Sequence, residues 1–589
     1  LSNWIWEQFF TYVLLSEGAD QQALEAKFSP FLDRFADPST STRGFTYEAQ
    51  LQPLTDIHLR SAYLTFDWGI RGNILYVYTF SAIALFVLLI ACFNFMNLST
   101  ARATKRAREV GMRKVIGARR VQLIVQFLGE ATLMAFVALL AALAITQITL
   151  PSFNDFTGKD LAISYTSGWV VPALLLLSVA LGIVAGSYPA LYLSAFRPVR
   201  VLKGGTGAGG PGLTSLRRAL VVAQFVITIT LIISTVVVYR QLQFVRTADL
   251  GFERDLLVKL PLRDEMFSNV DAIRSELLRH PSVASVTASW GTPGGFAAGD
   301  GIHLPGRDAE FGIRVFTTDY EFVRTFDMRM AAGRDFSREH PSDEHEAFLL
   351  NEAAARALGW STEEAVGREI SWDMWAIEGT KRGSVIGVVE DFHFSSLREA
   401  VEPVVITIHP VYGHFSVRLR PGGTASALEM LEAEWKKWAP AWPFEYEFLE
   451  DELAEQYESE DRLARICAVF AALAILIACL GLFGLTSFMV ERRTKEIGIR
   501  KVMGASVKRL VLLLSRDFAL LVLVAFAVAV PIAFLAARAW LDGFAYRVDV
   551  EPEVFILAGS VSFAIAVATV SFHTIRAAMS DPVKSLRYE

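Results

Sequence analysis

Several stretches of this 589-residue chain have residue types that could do chemistry. His340, Asp343, Glu344, His345 and Glu346 gather imidazoles and carboxylates of the kind that ligate zinc. Their order, HPSDEHE, lacks the HExxH spacing that sets two histidines on one helix face, and a solvated loop is the better reading. Asp391 and His393 in VVEDFHFSSL follow a β-branched run and read as a turn. Glu130 and Asp517 lie inside apolar runs, where an ionised group marks function by default. Both sit near the basic end of their run, so an interfacial pairing with a nearby arginine explains them equally well. The run GGTGAGGPG (204–212) has no GxxxxGK[ST] lysine and joins no strand to a helix, so it reads as a flexible linker. No other stretch offers a phosphate-binding loop. Cys92, Cys467 and Cys479 have no CxxC spacing, which indicates neither a disulfide framework nor a zinc site. His58 has no nearby partner in sequence and reads as a structural histidine. No Ser/His/Asp or Cys/His constellation is visible, so the expectation is a non-enzyme that binds no metal and no cofactor of its own.

What remains is a segment that occurs twice. TKRAREVGMRKVIGA (104–118) returns as TKEIGIRKVMGA (494–505). Glu109 falls on Glu496, Gly111 on Gly498, Arg113-Lys114 on Arg500-Lys501 and Gly117-Ala118 on Gly504-Ala505. Each copy lies between two hydrophobic runs, which signals an internal duplication. Charge alone would suffice to anchor a loop at a membrane. The recurrence of Glu, Gly and Gly-Ala in register asks for more, and a docking element is the stronger reading. Val110, Met112, Val115 and Ile116 would form an apolar strip on a short helix along the membrane surface.

The elements that must carry these segments follow from hydropathy. The chain is 53% apolar with 42 Phe and a mean hydropathy of +0.37, concentrated in long runs. Runs of twenty or more apolar residues suffice to cross a ~30 Å hydrocarbon core as helices. They fall at about 73–99, 121–150, 167–193, 220–238, 466–490, 510–537 and 554–573. The predicted fold is thus an α-helical polytopic membrane protein with seven spans and a large extracytoplasmic mixed α/β domain. In that domain AIRSELLRH and ASALEMLEAEWKKW read as helices, and SVASVTAS, FGIRVFTT, SVIGVVEDF and EPVVITIHP as strands. Residues 449–465 read as one charged helix running straight into the fifth span, a mechanical link. Six segments result: 1–72, the remnant of a first extracytoplasmic domain; 73–203, a three-span unit; 204–219, a cytoplasmic linker; 220–240, a single span; 241–462, the α/β domain; and 463–589, a second three-span unit. SAFRPVRVL (194–202) aligns with MSDPVKSLR (579–587) through Pro198 on Pro582 and Val199 on Val583, so the repeat covers three spans.

Lysines and arginines mark cytoplasmic loops. They crowd 102–120, 197–218, 492–509 and the C-terminus, and alternation then places 151–166, 241–461 and 538–553 outside. The net charge of −6 says little, because charges of opposite sign are segregated along the chain. A duplicated protein with seven spans has one span too few. An eighth span and most of a first external domain are expected upstream of Leu1.

EVGMRKVIGA and EIGIRKVMGA, the one-span, external-domain, three-span order and the Pro-Val motif resemble permease subunits of the FtsX/MacB type within the ABC-transporter superfamily. The resemblance covers essentially the whole chain, twice, and is nearest to the duplicated single-chain permeases of that family. It implies a dimeric cytoplasmic ABC ATPase, which binds the ATP and docks on the two segments through Glu109, Gly111, Arg113, Lys114 and Gly117 and through Glu496, Gly498, Arg500, Lys501 and Gly504. It also implies a multi-pass protein of the cell (inner) membrane that moves its external domain to export a peptide, lipoprotein or antibiotic. A periplasmic adaptor or substrate protein would be a further partner, beside the lipid bilayer and without nucleic acid. The alternative is a non-transporting regulator that activates an extracytoplasmic cell-wall enzyme. Tyr188-Pro189 near the end of the third span reads as a kink or exit.

Overall fold

The computed structural model describes residues 11–35, 48–61, 72–194 and 211–492 except 296, 308–309 and 375–378, then 496, 499–500, 503 and 505–579; at 101–108 and 211–214 it describes the helical backbone alone. The glycine linker up to residue 210 and the Pro-Val motifs lie outside these residues. The chain divides into two compact units, one of residues 1–73, 242–459 and 543–547, the other of 74–241, 460–542 and 548–589.

The second unit carries the hydropathic runs as helices. Among the described residues seven helices are long and apolar enough to cross a membrane. They are Ile74–Val115, Arg120–Thr157, Val170–Ser194, Pro211–Thr247, Glu458–Arg492, Val507–Leu541 and Pro552–Met579, called the first to seventh below. Three differ from expectation. The first helix continues without a break through the basic segment to Val115, so that segment is no separate surface helix. The second runs on through Pro151 to Thr157, taking in half of the supposed loop, and ends at Gly158 in a left-handed turn. The fourth starts at Pro211, a residue whose missing N–H costs nothing in a first turn.

Several hydroxyls within this unit bond to their own helix backbone, as a bilayer interior favours. Thr100, Thr228, Thr569 and Thr574 each donate to the carbonyl one turn back. At the end where the fourth helix leaves the apolar run, Arg240 pairs with Glu551 (2.9 Å) and Glu553 (3.3 Å), and buried Gln241 accepts from the Val548 amide at 2.9 Å. All three cysteines are free.

The first unit is built on one eleven-stranded sheet. Its strands are β1 (Leu257–Pro261), β2 (Val283–Trp290), β3 (Ala298–His303), β4 (Phe311–Thr318), β5 (Met330–Gly333), β6 (Ala347–Asn351), β7 (Glu369–Asp373), β8 (Thr380–Val389), β9 (Val404–Ile408), β10 (His414–Leu419) and β11 (Glu447–Phe448). β11, β1, β10 and β2 lie antiparallel in that order. Helices Val270–Leu278 and Thr424–Trp438 make the two crossovers, the double split β-α-β arrangement. Between β2 and β10 the chain detours through seven strands, six of which close a ring, β4–β3–β7–β8–β6–β9, with β9 returning parallel to β4 and β5 pairing with β8 outside it. β6 and β9 are buried at every residue, which is why AFLLN and VVITI read as continuous apolar runs. Asp319, just after β4, joins the two parts. Its carboxylate pairs with buried Arg274 and accepts from Thr287 Oγ1 and the Ala288 amide.

The charged helix leading to the fifth span is broken. Leu449–Glu455 is one helix and Glu458 begins another. The intervening residues are held by long-range bonds that sequence cannot foretell: Gln456 Nε2 donates to the Gly294 carbonyl, and the Tyr457 hydroxyl accepts from the Leu397 amide at 2.8 Å. Residues 543–547 belong to this same unit, with the Ala545 and Tyr546 amides donating to the carbonyls of Arg398 and Leu397.

Candidate functional site

The first basic segment is held in place by its own side chains. Val110 is buried with Leu123, Phe127 and Ala190, so the last turns of the first helix pack between the second and third. Glu109 and Arg113 pair at 2.8 Å, one turn apart. Arg113 also donates to Gln126 Oε1 (2.9 Å), and Gln126 in turn donates to Glu130 (3.2 Å). Lys114 Nζ donates to the carbonyl of Ser194, the last residue of the third helix, at 2.5 Å. That carbonyl is one of the groups a helix end leaves without an intrahelical partner. Burial and neighbouring Arg120 hold the Lys114 ammonium below the usual lysine range.

The Gly-Ala pair has a local cause as well. Gly117 takes φ +104° and nothing lies within 4 Å of where its Cβ would stand. The Ala118 amide reaches back to the Arg113 carbonyl (2.9 Å) and the Gly117 amide to Lys114 (3.1 Å), closing the helix with a left-handed cap. Gly111 is buried in the last turns of the helix.

The second copy repeats this where it is described. Glu496 and Arg500 pair at 2.8 Å, and the Ala505 amide bonds the Arg500 carbonyl at 2.9 Å. Gly498, Lys501 and Gly504 lie outside the described residues. Within one helical turn the salt bridges are half exposed and stabilise by no more than about 0.5 kcal/mol each.

Glu109, Arg113, Lys114, Glu496 and Arg500 thus each have a partner, within the segment or on a neighbouring helix. Beside these half-exposed charged pairs each copy also exposes apolar side chains. Met112 and Ile116 are 57% and 81% exposed, and their counterparts Ile499 and Met503 are 46% and 81% exposed. Val115 joins them, whereas Val110 leaves the expected strip for the core. An exposed apolar pair one turn apart, repeated in register, is a feature that could receive a partner. The sequence signal was there: apolar residues kept at matching positions amid basic ones.

The other candidates separate cleanly. Asp343 is buried rather than solvated, held by Arg334 through two bonds of 2.6 and 2.7 Å. Asp391 caps helix Glu352–Leu358 through the Ala353 amide (2.7 Å) and pairs with Arg356. His393 stacks edge-on against Tyr546. No group of three or more His, Cys, Asp or Glu that could hold a metal occurs among the described residues. Asp517 is exposed, while Glu130 is half-buried and receives Gln126. The third helix continues through Pro189 to Ser194. Sequence reading passed over Lys381, which is buried in the six-strand ring and donates to the carbonyls of Glu344 (2.9 Å) and Ile408 (3.1 Å). Burial pushes its pKa down to about 7.

These features define a class: a multi-pass membrane protein with two three-helix repeats, each bearing the same basic segment, and a mixed α/β extracytoplasmic domain. The FtsX-like permease C-terminal model matches residues 81–198 and again 468–582, and the MacB-like periplasmic core domain model matches 219–431. The chain belongs to the FtsX/MacB-type ABC transporter permeases. Among curated relatives, the macrolide export ATP-binding/permease protein MacB of Bdellovibrio bacteriovorus is 33% identical over 130 residues, 21% of this chain and 18% of that protein. The protein of the same description from Chromobacterium violaceum is 24% identical over 294 residues, 48% and 44% of the two chains. The chain thus spans less than half the length of these relatives. Among solved structures, the periplasmic region of MacB from Actinobacillus actinomycetemcomitans covers 36% of this chain and 97% of its own at 12% identity, with a TM-score of 0.26. The family models, not that overlap, carry the assignment.

Proposed function

We propose that this permease works in the cell (inner) membrane with a separate cytoplasmic ABC ATPase dimer, which binds and hydrolyses the ATP. One ATPase subunit docks on Met112 and Ile116 and the other on Ile499 and Met503. The observation that carries this reading is the repeated exposed apolar pair, set beside the Glu109–Arg113 and Glu496–Arg500 ion pairs. Glu109–Arg113 and Glu496–Arg500 then hold each docking turn in shape. ATP-driven closure of the dimer would be transmitted to the extracytoplasmic domain to extrude an envelope substrate, a peptide, lipoprotein or antibiotic. A periplasmic adaptor or the substrate protein itself would meet that domain.

The test is co-purification of the full chain with a nucleotide-binding protein. Replacing Met112, Ile116, Ile499 and Met503 by aspartate should abolish co-purification while membrane insertion persists. The Glu109→Gln/Glu496→Gln variant should weaken it. Undiminished recovery of the ATPase with the four aspartates in place would remove the docking reading.

A further inference from the structure

The double split β-α-β part of the sheet has two unlike faces. On one, Val258, Leu260, Phe415 and Val417 are buried against Ile273, Leu277, Leu431 and Trp435 of the two crossover helices. Side chains alternate along a strand, and residues paired across strands share a face. Lys259 and Pro261 of β1 therefore turn to the other face, with their partners Glu447, Ser416 and His414. There a cavity of about 700 Å³ opens between the strands and the short helix Leu449–Glu455. Its walls set four carboxylates, of Glu445, Glu447, Asp451 and Glu455, against one ammonium, that of Lys259.

These charges are not balanced from within. Lys259 gives its ammonium to Glu452 at 2.6 Å and stands 4.0 Å from Glu447, while Glu445 takes Arg263 at 3.0 Å. Asp451 and Glu455 have no ion-pair partner among the described residues. Burial and the carboxylates of Glu452, Glu455 and Asp451 raise the pKa of Glu447, which Lys259 only partly opposes. His414 adds no positive charge at neutral pH, because burial, Lys259 and Arg263 push its pKa down to about 4. A helix N-terminus welcomes Asp451, but Glu455 is the last residue of that helix, where the dipole disfavours an anion. Charge also guards edge strands against self-pairing, which accounts for Glu445 and Glu447 but not for the cavity beside them. Among the described residues no three acids or imidazoles are grouped as a metal site requires. The negative charge runs instead in a line, with Glu445 and Glu447 about 6.8 Å apart along the strand and Asp451 and Glu455 one helical turn apart. An extended peptide presents every second side chain at that same ~6.8 Å repeat. β11 is also the last strand of the sheet, with no strand on its outer edge among the described residues, and a free edge can pair with an added backbone. We propose that this cavity binds a cationic peptide in extended form, its lysine or arginine side chains reaching Glu447, Asp451 and Glu455 and its backbone lying along β11.

Such a peptide is cargo only under the extrusion reading above, on which this assignment rests for the peptide's fate. Its binding is therefore measured without ATPase or nucleotide, so that failure to bind and failure to export stay distinct. The full chain is held in phosphatidylcholine nanodiscs, with empty nanodiscs as the blank, and the probe is a fluorescent hexapeptide alternating lysine and valine. Binding should saturate and weaken as salt is added. Glu447→Gln/Asp451→Asn/Glu455→Gln should weaken it about tenfold, while the unfolding midpoint holds or rises as the mutual repulsion is removed. Where that variant fails to accumulate, the same peptide with glutamate in place of lysine supplies the contrast on the parent chain and should not bind. Spermidine, a cation without a peptide backbone, should displace the probe only at concentrations well above those of the unlabelled peptide. Absence of saturable binding, equal binding of the glutamate peptide, or unchanged affinity in the triple variant overturns the proposal. Displacement by spermidine as effective as by the peptide overturns it too.

Discussion

The second and third helices of the first repeat, and the sixth and seventh of the second, solve one packing problem with opposite residues. Aligned through Pro198 on Pro582, Ser178 falls on Ser562, Gly182 on Ala566 and Gly186 on Val570. In the first repeat a Cβ added to Gly182 would stand 2.5 Å from Thr132 Cα, and one on Gly186 2.6 Å from Ala131 Cβ. In the second, Phe518 stands where Ala131 did, and Phe518, Ala566 and Val570 are all buried in one cluster. One pair of helices approaches backbone to side chain; the other is spaced by larger groups. Neighbours differ as well. The fourth helix packs Phe225, Ile229 and Ile233 into the second repeat's cluster, and Ala529 there is fully buried, whereas its counterpart Ala142 is exposed. Identical residues at identical repeat positions thus have different energetic weight. In a bilayer an exposed leucine or valine costs nothing, so duplicated helices are free to diverge in what they bury.

The largest effect should come from Gly182→Ala. It merely copies the residue of the second repeat, yet its methyl would press on the Thr132 backbone, which cannot rotate away as a side chain can. Overpacking of this kind costs about 1–3 kcal/mol, read as a lower unfolding midpoint of the purified chain. The reverse change, Ala566→Gly, should cost less, on the order of the 1 kcal/mol that glycine forfeits in a helix. Equal losses in the two directions would break the comparison.

Hydropathy made the seven helices legible, because a run of twenty apolar residues has one stable solution in lipid. The duplication was legible from the two basic segments, in which Glu, Gly, Arg-Lys and Gly-Ala recur in register. What escaped were features fixed by distant partners. The break at Gln456 depends on Gly294, and that at Tyr457 on Leu397; no periodicity encodes either. Closure of the strand ring by β9 on β4 joins segments some ninety residues apart, and only the buried runs of β6 and β9 hinted at it. At the basic segments the sequence reading rested on the recurring Glu, Gly, Arg-Lys and Gly-Ala. In the structure Lys114 serves the end of the third helix and Gly117 ends the first, while Met112 and Ile116 stand exposed beside the Glu109–Arg113 pair.

A second test compares one residue in two settings. Ala529→Phe must force a ring into a closed cluster and should destabilise by about 1–3 kcal/mol. Ala142→Phe adds a ring on an exposed apolar face and should leave the midpoint within about 0.5 kcal/mol of the parent, as surface changes do. If Ala142→Phe is as damaging as Ala529→Phe, then the first repeat's face is covered by something in the assembled protein, and the measured contrast belongs to the isolated chain only.

The smallest effect should come from Gln126→Leu, which again copies the second repeat, where Leu513 occupies that position. Arg113 would lose its acceptor at 2.9 Å but keep Glu109, the arrangement in which Arg500 already pairs with Glu496. An exposed hydrogen bond of this kind is worth about 0.5–1 kcal/mol at most, so the midpoint should scarcely move. Co-purification of an ATPase with the chain should not move at all, because the second segment forms its Glu-Arg turn without such a glutamine. A loss of recruitment in Gln126→Leu would mean that the first segment docks through the Arg113–Gln126–Glu130 chain rather than through Met112 and Ile116, and the two segments would then differ in how they bind, not only in how they pack.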